Sequence, residues 1–307
     1  MSDVTVGLLN PGEMGAAVGQ CLTGAGHQVL WAAEGRSPAT RERAEAAGLT
    51  ASGITDIAAR CDVVLSVCPP HAAHQVALQV ARAGFGGLYV DANAISPASA
   101  REVATVVGAA GADYVDGGII GSPPVTPGFI RLYLSGPRAQ EVRALFTGSP
   151  ADVRVIGDDT APAASAVKMA YASWTKGTAA MVLAARALAR AEGVEDTLLA
   201  EWEQSQPGLE QRTERAAGSA AGKGWRWVAE MEEIAATMAA AGLPDGFHLA
   251  AAEIYRRSPH DADASLEAVL SAIQQRLSSR GRGARTGRPP PGQARSAPAS
   301  WSHAHGP

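Results

Sequence analysis

The sequence predicts an α/β fold in which a doubly wound parallel sheet is followed by an all-helical C-terminal domain. Two observations carry this prediction: short apolar runs alternate with helix-like segments over the first half of the chain, and only helical patterns follow residue 160. We therefore expect a sheet domain over residues 1–159, a helical domain over residues 160–277 and a disordered basic tail over residues 278–307.

Apolar runs that lead into turns or helix-like segments mark the strands of the sheet. A glycine stops the first helix at residue 26, and a second helix runs through residue 46 after a polar, arginine-containing stretch. Repeated units of this kind imply parallel strands joined by right-handed crossovers. The predicted strands span residues 4–9, 27–33, 62–67, 88–92, 113–115, 131–135 and 153–156.

A long alanine-rich stretch opens the second domain. It covers residues 161–192, with Thr160 as the expected N-cap and Pro162 in the first turn. A helix of this length would run about 48 Å and could link two domains. The rest of the domain is predicted as a series of helices. Turns between them are expected at residues 207–208, 222–224 and 242–246.

Composition and charge limit the possible classes of function. The 307 residues are 46% hydrophobic and carry a net charge of -4, but residues 279–307 hold five arginines and no acid, which leaves -9 on the rest. An acidic body argues against nucleic acid as a partner. Cys21, Cys61 and Cys68 have no paired spacing and lie in apolar segments, which is typical of a reducing compartment. With no apolar run long enough for a membrane, we expect a cytoplasmic protein.

A glycine turn joins the first strand to the first helix, at the place where a Rossmann fold carries its dinucleotide-binding glycines. Asn10 replaces the first glycine and is the ordinary residue most tolerant of a left-handed turn. Gly12 would let the backbone approach a pyrophosphate, and Gly15 would let the helix pack on the strand. A plain tight turn is the alternative. The predicted cofactor-binding turn consists of Asn10, Pro11, Gly12, Glu13, Met14 and Gly15.

The residues that follow the second strand bear on the choice between NAD and NADP. Arg36 and Ser37, with Arg41 further on, suit a ribose 2′-phosphate, whereas Glu34 suits a free 2′-hydroxyl. Arginines at a surface are often only solvated. We predict NADP(H) as the cofactor, with NAD as the alternative.

Further segments lie where predicted strands end, at residues 66–70, 91–97 and 116–122. In these and in residues 7–15 the chain resembles the β-hydroxyacid dehydrogenase superfamily, which includes 6-phosphogluconate and 3-hydroxyisobutyrate dehydrogenases and, more distantly, imine reductases. Residues 225–247 are similar to a less characterised branch whose C-terminal domain is like that of 6-phosphogluconate dehydrogenase. The resemblance covers about residues 4–275.

The resemblance implies a substrate site at the carboxyl edge of the sheet, where open α/β sheets bind ligands. Cys68, Pro69 and Asn93 are expected beside the cofactor, and Ser96 beside the substrate. Ser96 fits equally well as a helix cap before Pro97.

The glycine-rich segment after the fifth predicted strand is expected to bind an acidic substrate. Its backbone N–H groups and one hydroxyl suit a carboxylate, and the resemblance implies the same role. The alternative is a glycine-rich turn without a ligand. The residues concerned are Gly117, Gly118, Gly121 and Ser122.

Lys168 lies on the long helix where the superfamily carries its catalytic lysine. Its apolar neighbours favour a desolvated ammonium suited to proton transfer, although a lysine that snorkels from a helix edge is the alternative. The glycines expected before this helix are missing, and Ala172 stands where an asparagine is common. Tyr171, three residues from Lys168, could supply a hydroxyl in its place, or it could belong to the core.

Trp227 and Met231 are candidates for the substrate pocket, because the resemblance implies that this region closes the site. Burial in the core is the alternative. Lys176 is interpreted as a solvated charge. His71 and His74 share a helical face without a third ligand, so no metal site is predicted.

Three functions follow from these residues. The first is an NADP(H)-dependent oxidoreductase that transfers hydride between nicotinamide and a small 3-hydroxy acid or a related keto acid, with Lys168 as general acid and base. The second is an NADPH-dependent imine reductase, and the third is a non-catalytic protein that senses NADP(H). A homodimer is expected, because the apolar faces of the long helix exceed what one small domain could cover.

Overall fold

The computed structural model describes residues 4–123, 127–128 and 130–275. The chain up to Gln274 forms one compact unit. Its strands are β1 (Thr5–Leu9), β2 (Gln28–Ala32), β3 (Thr50–Ser52), β4 (Val63–Ser66), β5 (Leu88–Asp91), β6 (Asp113–Ile120), β7 (Arg131–Ser135) and β8 (Asp152–Gly157). Its α-helices are α1 (Glu13–Gly24), α2 (Pro38–Ala46), α3 (Ile54–Arg60), α4 (Ala73–Arg82), α5 (Pro97–Ala109), α6 (Ala139–Ala144), α7 (Ala163–Ala191), α8 (Glu195–Ser205), α9 (Leu209–Ala240), α10 (Gly246–Arg257) and α11 (Leu266–Gln274).

The strands form one eight-stranded sheet in the order β3-β2-β1-β4-β5-β6-β7-β8. The strand order reverses between β1 and β4, which creates the crevice where doubly wound sheets bind dinucleotides. The predicted fold class is therefore confirmed. The expectation of a wholly parallel sheet is wrong at β7, which runs antiparallel to β6. Only ten residues separate these two strands, fewer than the crossover connection of a parallel pair requires.

The buried strands are almost continuously apolar, as expected for a parallel sheet covered on both faces. One apolar cluster on the sheet contains Leu8, Val29 and Leu65, and a second contains Leu9, Leu30 and Val64. Neighbouring residues of one strand fall in different clusters because strand side chains alternate between the faces. β3 was absent from the strand pattern read from the sequence, because its three residues are too few to form a recognisable apolar run.

Helices alone follow β8 in the described part of the chain. α7 begins at Ala163 with Pro162 at its N-cap position, so the predicted N-cap at Thr160 is wrong. The expected turn at residues 222–224 is also wrong, because α9 continues through both of its glycines. Gly224 packs against Tyr255, where an added Cβ would lie 3.4 Å from the ring. This close approach of α9 and α10 uses glycine for packing and outweighs its low helix propensity.

The other two predicted turns are confirmed, and both use a glycine with a positive φ angle. Gly208 precedes α9 with a φ of 85°, and Gly242 follows α9 with a φ of 71°. The helices enclose a third apolar cluster, which includes Leu183, Ile234 and Tyr255. No helix among the described residues combines the length and apolarity that a bilayer span requires. The predicted tail at residues 278–307 lies outside the described residues.

Candidate active site

The glycine turn after β1 has the geometry of a dinucleotide-binding loop. Asn10 adopts a left-handed conformation with a φ of 64°, as its substitution for the first glycine requires. An added Cβ at Gly15 would lie 2.5 Å from the backbone oxygen of Asn10, so only glycine lets α1 start so close to the strand. A Cβ at Gly12 would meet no atom within 4 Å. Gly12 caps α1 without a side-chain hydrogen bond, which leaves an open helix N-terminus for a phosphate.

A cavity of about 480 Å³ adjoins this turn. Asn10 and Arg36 both contribute to its lining, and each has a buried polar atom, Oδ1 and Nε respectively, without a hydrogen-bond partner among the described residues. Unpartnered buried polar atoms are rare in folded proteins and are typical of a ligand site. The cavity is lined by Leu9, Asn10, Ala32, Glu34, Arg36, Ile54, Thr55, Val76, Gln79, Arg82 and Ala83.

The two other residues predicted for the 2′-phosphate have contacts within the protein. Ser37 caps α2, where its Oγ accepts a hydrogen bond from the N–H of Thr40 at 3.3 Å. Arg41 donates from Nη2 to the backbone oxygen of Ala33 at 2.7 Å. Both residues therefore shape the loop that presents Arg36, and their contact with a cofactor stays a prediction.

Asn93 ties together the ends of β4 and β5. Its Oδ1 accepts from the N–H of Cys68 at 2.6 Å, its Nδ2 donates to Oγ of Ser66 at 3.1 Å, and its own N–H donates to Oδ1 of Asp91 at 2.9 Å. The residue is buried, so it positions Cys68 and the exposed Pro69 at the crevice. Burial raises the pKa of the Cys68 thiol to about 12, which keeps the thiol protonated. Direct contact of these residues with a cofactor stays a prediction.

Ser96 serves as a helix cap, the alternative role that its sequence allowed. Its Oγ accepts a hydrogen bond from the N–H of Ser99 at 3.1 Å, and its own N–H donates to Oε2 of Glu233 at 2.7 Å. Ser99 Oγ donates to the same oxygen at 2.9 Å. Glu233 thereby joins α9 to the N-terminus of α5, beside the crevice. The sequence analysis missed this residue.

The glycine-rich segment is part of a strand rather than a turn, which corrects one expectation. Gly117 and Gly118 lie within β6 and pair with β7. An added Cβ at Gly118 would lie 2.7 Å from the backbone oxygen of Ala164 and 3.1 Å from Cβ of Lys168. Gly118 therefore lets α7 pack directly on the sheet, whereas an added Cβ at Gly117 would lie 2.8 Å from the backbone oxygen of Asp91. Gly121, with a φ of 132°, and Ser122 are exposed just beyond β6, where an anion site stays a prediction.

Asp116 fixes the start of α7 on the sheet. Its Oδ1 accepts from Oγ of Ser165 at 2.5 Å, and its Oδ2 accepts from the N–H of Ser165 and from Oγ of Ser135, both at 2.9 Å. Burial raises the pKa of Asp116, while these donors act in the opposite direction. The carboxylate thus anchors the first turn of α7 and, one turn later, the position of Lys168.

Lys168 lies in a buried charge cluster formed by Lys168, Glu230 and Lys176. The ammonium nitrogen of Lys168 is 3.5 Å from Oε1 of Glu230, and its side chain is only 15% exposed. Glu230 projects from α9 and is itself buried. Burial acts to raise the pKa of Glu230, but the charges of the two lysines prevail and hold it below its usual value. The cluster therefore contains a stable carboxylate.

Lys176 completes this cluster, so its interpretation as a solvated charge is wrong. Its side chain is 19% exposed, and its ammonium contacts Oε2 of Glu230 and lies 5.4 Å from the ring centroid of Trp227. Tyr255 packs edge-on against Trp227 and donates from its hydroxyl to the backbone oxygen of Lys176 at 2.6 Å. Trp227 therefore covers the charge cluster. A sequence signal existed, since Lys176 follows Lys168 by eight residues, about two helical turns.

The remaining predicted side chains differ in exposure. Met231 is completely buried in the helical cluster and has no surface to offer a substrate, so the core interpretation holds for it. Tyr171 is exposed, which rules out the core interpretation in this chain. Trp225 and Phe247 are exposed as well. Among the described residues, no group of three His, Cys, Asp or Glu side chains has the arrangement of a metal site.

Two family models match the chain. Residues 5–140 match the NAD-binding domain of 6-phosphogluconate dehydrogenase, and residues 189–258 match a domain of unknown function, DUF1932. The first match contains the glycine turn, the cavity beside it and the ends of β4 and β5. It indicates that this part of the chain binds a pyridine dinucleotide, NAD or NADP.

Solved structures share the whole fold. A conserved protein of unknown function, described as structurally similar to 3-hydroxyacid dehydrogenases, is 27% identical, with a TM-score of 0.58 over 88% of this chain and 95% of that one. The Mycobacterium tuberculosis 3-hydroxyisobutyrate dehydrogenase with L-serine is 21% identical, with a TM-score of 0.65 over 89% and 99%. The Myxococcus stipitatus imine reductase in complex with NADP+ is 21% identical, with a TM-score of 0.53 over 88% and 100%.

The two family models cover most of the sheet and much of the helical region, and the structural neighbours extend across both. Family and fold together indicate an oxidoreductase that binds a pyridine nucleotide. The two domain matches and the solved structures together support a β-hydroxyacid dehydrogenase-like superfamily.

Proposed function

We propose that the protein is an NADP(H)-dependent oxidoreductase that interconverts a small 3-hydroxy acid and the corresponding keto acid, with Lys168 as the general acid and base. One observation carries the proposal. Lys168, whose side chain is only 15% exposed, lies on α7 beside Gly118 of β6. This part of β6 continues beyond the last residue that pairs with β5, toward the carboxyl edge of the sheet. Ligands of doubly wound sheets bind at that edge.

The choice of NADP(H) rests on Arg36. Its guanidinium lines the cavity next to the glycine turn, and its buried Nε has no partner among the described residues. A 2′-phosphate would satisfy this donor with a charge-assisted hydrogen bond. The backbone at Gly12 and the open N-terminus of α1 would bind the pyrophosphate. No protein atom lies within 4 Å of a Cβ built at Gly12, so the space in front of the helix is open.

The chemistry of the site follows from its own residues. When bound, the reduced nicotinamide supplies a hydride to the substrate carbon. Lys168 holds a proton on its ammonium and donates it to the substrate oxygen, so that one N–H bond breaks as an O–H bond forms. In the oxidation direction the neutral amine takes the hydroxyl proton back. Gly121 and Ser122 would bind the substrate carboxylate, because both are exposed at the end of β6.

The proposed enzyme is a homodimer that associates through α7. Val167, Trp174, Met181 and Leu188 are exposed at intervals of seven residues along this helix, and the side chains of Trp174 and Leu188 are the most exposed, with residue exposures of 66% and 64%. A seven-residue apolar repeat forms one stripe that packs well against another helix. A second copy of the same helix would cover the stripe around a two-fold axis.

The deciding experiment measures NADPH oxidation with a panel of small 3-keto acids, in the absence and then in the presence of an amine. We expect turnover with a keto acid alone. Lys168→Met should lower kcat by about a hundredfold or more while NADPH still quenches protein fluorescence with the same affinity. Arg190→Met is the matched control, since Arg190 is another paired cation on α7, far from Lys168.

Other results would redirect the proposal. Turnover only with a cyclic imine, or only when an amine is present, would identify an imine reductase. Tight NADPH binding with no hydride transfer to any carbonyl or imine would support the cofactor-sensing role. Equal activity of Lys168→Met and the unmodified protein would remove Lys168 from the mechanism.

A further inference from the structure

The chain contains only three lysines, at positions 168, 176 and 223. Cationic residues on its surface are therefore almost all arginine. Two of the three lysines are nevertheless buried together and share one carboxylate, that of Glu230. Lysine differs from arginine in that it can lose its proton when it is desolvated. The cluster therefore contains two of the three lysines, whereas the other cationic side chains are mostly arginines, which keep their charge.

The two lysines contact Glu230 unequally. Lys176 forms a direct hydrogen bond to Oε2. Lys168 lies farther away, with its ammonium nitrogen 3.5 Å from Oε1. Two ammonium groups with one carboxylate leave one positive charge in excess. Because short charge-assisted hydrogen bonds are stronger than a contact at 3.5 Å, Oε1 favours a closer approach of Lys168.

We propose that Lys176 is a positioning residue for the reaction proposed above: its ammonium occupies Oε2 of Glu230 and so keeps this carboxylate from drawing Lys168 into a direct hydrogen bond. Lys168 then stays beside β6, ready to contact the substrate oxygen. Without a cation at position 176, the full charge of Glu230 acts on Lys168 alone and pulls the catalytic nitrogen toward α9. Only the expected effect on kcat rests on the proposed function; the contact between Lys168 and Glu230 does not.

The surroundings of Lys176 make its charge sensitive to pH near neutrality. Burial lowers the pKa of Lys176 to about 8, with Lys168 lowering it further and Glu230 acting in the opposite direction. From α10, Tyr255 and His248 face the same region. Burial keeps Tyr255 protonated by raising its pKa, and burial lowers the pKa of His248, which therefore stays neutral.

The other charged groups that contact α7 bind partners outside the cluster. Arg212 of α9 reaches Thr178 at 2.6 Å, and Asp116 of β6 holds the N-terminal turn. Glu195 of α8 and Glu267 of α11 pair with arginines in the C-terminal part of the helix. Within the cluster, Lys176 is the group whose pKa burial lowers to about 8.

The kinetic test compares Lys176→Met, Lys176→Arg and the control Arg190→Met over a range of pH. We expect kcat for keto-acid reduction by the unmodified protein to fall as pH rises through about 8. Lys176→Arg keeps a cation at every pH, so this fall should move to higher pH. Lys176→Met should lower kcat roughly ten- to a hundredfold at neutral pH with KM for NADPH unchanged, because the catalytic nitrogen is displaced. Arg190→Met should retain the profile of the unmodified protein.

A second measurement does not depend on turnover. Lysine labelled with carbon-13 at Cε gives one NMR signal for each of the three lysines, and arginine substitutions assign them. We expect the Lys176 signal to titrate near pH 8, and the Lys168 signal to shift in Lys176→Met as its nitrogen binds Glu230 directly. If Lys176→Met does not fold, the comparison with Lys176→Arg still tests the effect of a permanent cation.

These outcomes separate the inference from the proposed function. Absence of turnover with every keto acid would contradict the proposed function, while a shifted Lys168 signal would still support the coupling. An unchanged Lys168 signal in folded Lys176→Met overturns the inference. So does an alkaline fall in kcat that stays at the same pH in Lys176→Arg.

Discussion

Asp91 and Asp116 lie opposite each other in the parallel register between β5 and β6, and both carboxyl groups are buried. Ser135 and Ser165 satisfy Asp116, whereas Oδ2 of Asp91 has no partner in the described part of the chain. Burial raises the pKa of Asp91 from 3.8 to about 7, and the neighbouring Asp116 adds to this shift. The fold therefore favours the neutral form of Asp91 well above the pH at which a free carboxyl group ionises.

Asp91→Asn should stabilise the protein at alkaline pH. A raised pKa in the folded state favours folding below pH 3.8, and this contribution is lost as pH rises to about 7. The variant lacks the cost of ionisation, so its free energy of unfolding should exceed that of the unmodified protein by roughly 2 to 4 kcal/mol above neutrality. Urea denaturation at several pH values measures the difference. Asp158→Asn, at an exposed position, should show no such dependence on pH. If Asp91→Asn raises the free energy of unfolding equally at acidic and alkaline pH, the prediction is wrong.

Arg36→Gln should weaken NADPH without affecting NADH. Loss of the guanidinium removes the charge-assisted contact with the 2′-phosphate, and we expect KM for NADPH to rise by about tenfold or more. Initial rates with each cofactor measure this preference. NADH acts as the internal control because it lacks the phosphate. An equal rise in KM for NADPH and for NADH would mean that Arg36 shapes the cavity rather than selecting NADP.

Gly118→Ala should destabilise the contact between β6 and α7. The new methyl group would lie 2.7 Å from the backbone oxygen of Ala164, so the helix has to move. We expect a loss of about 1 to 3 kcal/mol in the free energy of unfolding, together with lower kcat, because Lys168 moves with the helix. Gly108→Ala is the control, since a Cβ at that position in α5 meets no atom within 4 Å. An unaltered melting temperature for Gly118→Ala would contradict the proposed close packing.

Trp174→Arg should yield a monomer. It places a charge in the middle of the exposed apolar stripe on α7, where a two-fold interface would bring two such charges together. Light scattering after gel filtration measures the mass. Glu192→Arg, just beyond the end of α7, should remain dimeric. If the unmodified protein is already a monomer over a wide range of concentration, the dimer proposal is wrong.

The sequence predicted features that local chemistry determines. The left-handed conformation of Asn10 and the need for glycine at position 15 follow from the turn itself, and both are found in the structure. The strands appeared as apolar runs because both faces of the sheet are covered. The direction of β7 could not be read this way, since an apolar run has the same pattern in either direction.

Features that depend on distant contacts were harder to predict. Lys176 was interpreted as solvated because its neighbours in the sequence do not reveal Glu230, which reaches it from α9. Gly224 suggested a turn, yet it is a packing position against Tyr255. Similarly, Gly117 and Gly118 suggested a turn that binds an anion, whereas both are packing positions, Gly117 against Asp91 and Gly118 against Ala164 on α7. In each case the partner lies far away in the sequence.

The ion pairs of Glu13 connect the glycine turn to the helical region. Glu13 begins α1, directly after that turn, and lies 3.4 Å from Arg226 and 3.8 Å from Lys223 on α9. The same helix carries Glu230, which pairs with both lysines of the charge cluster. One helix therefore contacts both the predicted cofactor turn and the charge cluster, and its exposed pairs with Glu13 weaken as ionic strength rises.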